Sequence, residues 1–124
     1  MKTFLARVAV FGVLALSVSP STSDAESQVE MKQQAAEAFE KADKKLNEVY
    51  RELSAKIDSE SLAKLKTAQR AWVEFRDAET DFQGDLAARG GTIMSLIRSI
   101  KLKELTEERT KSLQAALESV KTGR

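Results

Sequence analysis

Beyond residue 20 the chain contains no proline, and its glycines are confined to Gly84, Gly90, Gly91 and Gly123. Apolar residues there recur at spacings of three and four instead of alternating, and β-branched runs are few. That period belongs to amphipathic helices, and the missing breakers let those helices run long. Few architectures other than a helical bundle accept such a chain.

Three segments carry the pattern. The first spans about residues 27–56, with a stripe of Phe39, Ala42, Leu46, Val49 and Leu53 and with Tyr50 and Ile57 alongside, close to a heptad. Asp58-Ser-Glu-Ser61 interrupts it and offers several N-caps for the next helix. The second spans about residues 60–88, with Leu62, Leu65, Ala68, Trp72, Phe75, Phe82 and Leu86 read as one buried stripe. Glu79 lies inside that stripe, and Gln69 and Arg76 flank it, so these groups need partners from other helices. Gly90-Gly91 is the strongest turn, and φ > 0 is expected there as a helix C-cap demands. The third helix is expected from Thr92 as N-cap. Its stripe Ile93, Ile97, Ile100 slips in phase before Leu102, Leu105, Arg109 and Leu113, which predicts a kink or short break near Lys101. The expected fold is an all-α, up-down-up three-helix bundle, with Phe39, Leu46, Leu53, Trp72, Phe75, Phe82, Leu105 and Leu113 in one core.

The N-terminus reads as an export leader. Lys2 and Arg7 precede an apolar run over residues 8–18, and Ser23 and Ala25 fit the small residues wanted before a cleavage site. A run this short does not span a bilayer, which needs roughly 20 apolar residues. The expected organisation is therefore a signal peptide, residues 1–25, and one helical domain, residues 26–124. No lipid-modified cysteine is available, so the product is expected in the periplasm or the medium. Loss of Lys2, Arg7 and Asp24 from 20 basic and 19 acidic residues leaves 18 of each. That balance argues against general binding to nucleic acid or anionic membranes. Residues 26–60 carry nine acids and six bases and residues 90–124 carry four acids and seven bases, so these segments should attract if they pack antiparallel.

The chain has no cysteine and no histidine. Thiolate nucleophiles, imidazole bases and the usual zinc ligands are absent, and no cofactor or metal is implied. Two groups of polar residues remain. Asp43, Asn47, Tyr50, Gln69, Arg70, Trp72, Arg76, Glu79 and Arg109 lie on or beside core stripes and read as an interhelical network; the alternative is that some shape a ligand site. Glu74, Asp77, Asp81 and Asp85 fall on one helix face and form an acidic ridge leading toward Gly90 and Gly91. The ridge reads either as a solvated helix face or as a surface that steers a cationic partner.

Three fragments resemble a known family. Ala42-Asp-Lys-Lys-Leu-Asn-Glu-Val-Tyr50 is similar to its first signature. Ala68-Gln-Arg-Ala-Trp-Val-Glu-Phe-Arg-Asp-Ala-Glu79 is similar to its central one nearly residue for residue. Gly90-Gly91-Thr92, then Leu105-Thr-Glu-Glu-Arg-Thr110 and Leu113, are similar to its third. The chain thus resembles, over residues 39–113, the LprI-type lysozyme-inhibitor N-terminal domains. Members usually carry two cysteines that crosslink helices two and three; here Thr80 occupies the first place and the second falls near Lys101 or Leu102. The resemblance implies a non-catalytic binding protein that blocks a cationic lysozyme. Two other classes stay open: an envelope-associated helical interaction module that inhibits nothing, and a carboxylate enzyme or metal binder using Glu74, Asp77 and Asp81.

Overall fold

The structure, a computed structural model, describes residues 22–123. Its elements are α1 (Thr22–Lys56), α2 (Ser59–Ala88) and α3 (Met94–Thr122), and no strand occurs among the described residues. Most of the expected leader, residues 1–25, lies outside the described residues; its last four open α1, which therefore begins before the expected residue 27.

The two turns follow from local chemistry. The Asp58 carboxylate accepts from the Ser61 N–H at 2.7 Å and caps α2. That backbone bond, with help from the Ser61 hydroxyl, holds the Asp58 carboxyl below its ordinary value. At the far end Gly90 takes φ 68°, and the Gly91 N–H donates to the Ala88 carbonyl at 2.8 Å. Only a residue without Cβ adopts that turn without strain. Thr92 is not the cap of α3. The Met94 N–H already donates to the Gly91 carbonyl at 3.2 Å, and the position before the helix is Ile93, which supplies no side-chain cap. The α3 helix then runs unbroken through Lys101, where the phase slip suggested a kink or break. The slip marks a change of exposure instead: Ile93 and Ile100 face solvent, while Thr106, Thr110, Leu113 and Leu117 are buried.

The helices run up, down, up. Lys121 near the end of α3 pairs with Glu52 near the end of α1 at 3.1 Å, so α1 and α3 are parallel. Pairs Arg98–Asp81 and Arg109–Gln69 run α3 antiparallel to α2. Contact is closest between α1 and α3, smaller between α2 and α3, and slight between the backbones of α1 and α2. Leu46, Val49, Leu53, Leu113 and Leu117 form the buried centre, with Tyr50, Ile57, Leu65 and Trp72 packed on it. All of these lie toward the end of the bundle that carries the α1–α2 turn.

On α2 the expected stripe is only partly buried: Leu62, Leu65 and Trp72 face inward, but Ala68 and the later apolar residues are exposed. Phe75, Phe82 and Leu86 are 54%, 55% and 65% exposed. The inward positions are Leu62, Leu65, Gln69, Trp72, Arg76, Thr80 and Gly84, a seam displaced by roughly 100° around the helix. Gly84 explains part of the choice. A Cβ there would meet the Arg98 Cγ at 2.9 Å, so glycine lets the Arg98 stem cross α2 and reach Asp81 at 2.7 Å.

Thr80 is fully buried, as is Thr106, and neither hydroxyl has a hydrogen-bond partner among the described residues. An orphaned buried hydroxyl costs about 1–3 kcal/mol. Thr80→Val and Thr106→Val should therefore each stabilise the fold by about 1 kcal/mol in urea unfolding. A loss of stability in either variant would show that the hydroxyl is used.

Candidate partner-binding surface

Arg76 organises the space between α1 and α2. Its guanidinium lies over the Trp72 ring at 5.2 Å and over the Phe39 ring of α1 at 5.7 Å. Its nearest carboxylate is Asp77, the next residue, reached by Nε at 2.9 Å. Asp43 of α1 is more distant, at 3.9 Å, and accepts from the Asn47 amide at 3.4 Å. Asn47 thus serves Asp43 and not Arg76. A planar cation between two rings joins helices whose backbones hardly meet, because the π faces attract charge while the rings fill the gap. Phe39 was legible as a core residue but not as half of this clamp.

The remaining polar residues divide by helix. Arg109 Nε donates to the Gln69 side-chain oxygen at 3.0 Å, which ties α3 to α2. Burial lowers the Arg109 guanidinium from its ordinary value, yet arginine stays cationic. Glu79 accepts from the Gln83 amide at 2.8 Å. Tyr50 shares one shallow cleft with Lys66, Gln69 and Arg70, and another with Asp43 and Asn47; its own carbonyl accepts from Ser54 at 2.7 Å. Among the described residues Arg76 thus meets Asp77, Asp43 and two rings, whereas Arg109 meets Gln69.

Three of the four carboxylates read as an acidic ridge are neutralised by arginines. Glu74, Asp77 and Asp81 are exposed, and Asp85 is half-buried. Asp77 is taken by Arg76 at 2.9 Å, Asp81 by Arg98 at 2.7 Å and Asp85 by Arg89 at 2.8 Å. The Asp85 bond raises the Arg89 guanidinium above its ordinary value. Glu74 makes no ion pair among the described residues. The Asp85–Arg89 pair follows the i,i+4 rule and could be read from sequence. Arg98 could not, since its pairing depends on how α3 registers against α2. No group of three carboxylates converges for a cation among the described residues, and no described helix is long and apolar enough to cross a membrane.

Opposite in sign is an open groove of about 560 Å³ between α1 and α3, which includes Lys41, Lys45, Lys103 and Lys111 in its lining. Gly90 and Gly91 are exposed at the end of α2. Beside them Thr92 and Ile93, just before α3, and Leu96 in its first turn meet Gln28, Met31 and Lys32 of α1 around a small cleft of about 120 Å³.

Among the described residues the surface presents both charged and large apolar side chains. An uncharacterised protein of Rhizobium meliloti (strain 1021) is 34% identical over 113 residues, with 81% of each chain covered. No solved structure matches the chain. Residues 19–113 match the family described as lysozyme inhibitor LprI, and the chain, a cysteine-free form, belongs to that family.

Proposed function

We propose that this protein is a non-catalytic, exported binding protein that blocks a lysozyme. Membership of the LprI family across residues 19–113 carries the reading. The exposed acidic face of α2 supports it, since lysozymes are strongly cationic and opposite charge accelerates encounter. Glu74, Asp77, Asp81 and Asp85, with the Gly90-Gly91 turn at the end of the same helix, are the surface assigned to the partner. Export rests on the leader pattern in residues 1–25, which precedes a chain with no membrane-spanning helix among the described residues.

The test is a cell-wall lysis assay with c-, g- and i-type lysozymes. Inhibition of at least one type is expected, and Glu74→Lys, which breaks no ion pair, should slow association severalfold, most at low salt. Failure to inhibit any type would remove the reading. A specific observation favours the alternative, an envelope-associated interaction module: three of the four ridge carboxylates already have arginine partners, as a solvated structural face would.

A further inference from the structure

We infer that the second apolar face of α2, centred on Phe75, Phe82 and Leu86, anchors the cationic protein partner, with the carboxylates of Glu74 and Glu79 receiving its basic side chains. The inference rests on the lysozyme reading above and adds an aromatic anchor to its acidic ridge. At 100° per residue these three residues fall within about 40° of one another, and Ala71 and Ala78 continue the face. All five are exposed. The two rings are about 10 Å apart along the helix, and the alanines leave room beside them for a partner's side chains. A contiguous apolar strip on so small a molecule marks an interaction surface, because water would otherwise be better met by polar residues.

Charge selects the occupant. Of the five carboxylates in residues 74–89, Asp77, Asp81 and Asp85 are paired with Arg76, Arg98 and Arg89, which leaves Glu74 and Glu79 for a partner. Glu74 adjoins Phe75 and makes no ion pair among the described residues, while Glu79 lies one turn from both rings and bonds only the neutral Gln83 amide. Lys101 feels Glu79 at longer range, but its own bond, at 2.7 Å, goes to Glu104. A partner's arginine can stack on a phenylalanine face while its guanidinium meets Glu74 or Glu79. A second copy of this chain would instead bring acidic rims together, which opposes self-pairing on this face. The location agrees: the buried aliphatic centre lies toward the α1–α2 turn, whereas Phe82, Leu86 and Ile93 are exposed toward the Gly90-Gly91 end.

The experiment measures binding of the full chain to the inhibited lysozyme by biolayer interferometry, with sedimentation of each variant. Phe75→Ser/Phe82→Ser should weaken binding on the order of 30-fold or more, with circular dichroism and thermal midpoint close to wild type. Ala78→Arg, helix-compatible and placed mid-face, should do the same by obstruction. Glu74→Gln/Glu79→Gln should slow association and flatten its salt dependence. Undiminished binding by both the double serine variant and Ala78→Arg overturns the anchor while leaving inhibition intact. Absence of wild-type binding to c-, g- and i-type lysozymes overturns anchor and function together. A wild-type dimer that the serine pair dissociates overturns the assignment by giving the face to a second copy.

Discussion

Leu46→Ala should destabilise the protein by about 3–5 kcal/mol, whereas Phe82→Ala should change stability by less than about 1 kcal/mol. Leu46 is 2% exposed and packs with Val49, Leu53, Leu113 and Leu117, so truncation removes buried methyl groups and leaves a cavity. A domain of this size holds roughly 5–10 kcal/mol in total, so the leucine variant should approach the point of unfolding. Phe82 is the larger side chain and loses little, because over half of it already meets water. Urea titration of both variants decides the register of α2. A Phe82→Ala loss comparable to that of Leu46→Ala would mean that the aromatic face of α2 is the buried one.

Arg76→Ala should cost about 2–3 kcal/mol, and Arg76→Lys should recover only a minor part of it. The arginine side chain is 13% exposed and its guanidinium plane lies over Trp72 and Phe39, so alanine removes both the cation–π attraction and the filler between α1 and α2. Lysine restores charge but offers no plane to stack. The pair with Asp43 contributes little by comparison, at 3.9 Å and with the Asp43 side chain 43% exposed. A double-mutant cycle of Asp43 and Arg76 should give a coupling below about 1 kcal/mol, while Phe39 and Arg76 should couple more strongly. The reverse order would make Arg76 an ion-pair residue and the ring contacts incidental.

Much of this was legible in the residues. The absence of proline, the Asp58 cap and the Gly90 turn define three helices to within a few residues, because caps and left-handed turns are local chemistry. The α1 stripe is buried as read, at Ala42, Leu46, Val49 and Leu53, because α1 has only one apolar face to bury. The start of α3 was misplaced at Thr92 for a local reason as well: the turn at Gly91 carries the helix entry past it.

What the tertiary structure alone decided is which face of α2 turns inward. The helix has two options, an aromatic strip through Phe75 and Phe82 and a mixed seam through Gln69, Trp72, Arg76, Thr80 and Gly84. Hydropathy favours the first, since it scores each residue against water and ignores neighbours. Burial follows complementarity: Arg109 meets Gln69, the Arg98 stem crosses Gly84, and Phe39 closes over Arg76. Each of these is a property of a pair of helices and is not visible in either one. Glu79 inside the expected stripe, with Gln69 and Arg76 at its edge, was the sequence's own sign that the stripe turns aside after Trp72 and leaves Phe75, Phe82 and Leu86 outside. Helix number, length and turns were thus determined along the chain, whereas the exposed strip available to a partner exists only because α1 and α3 selected the other side.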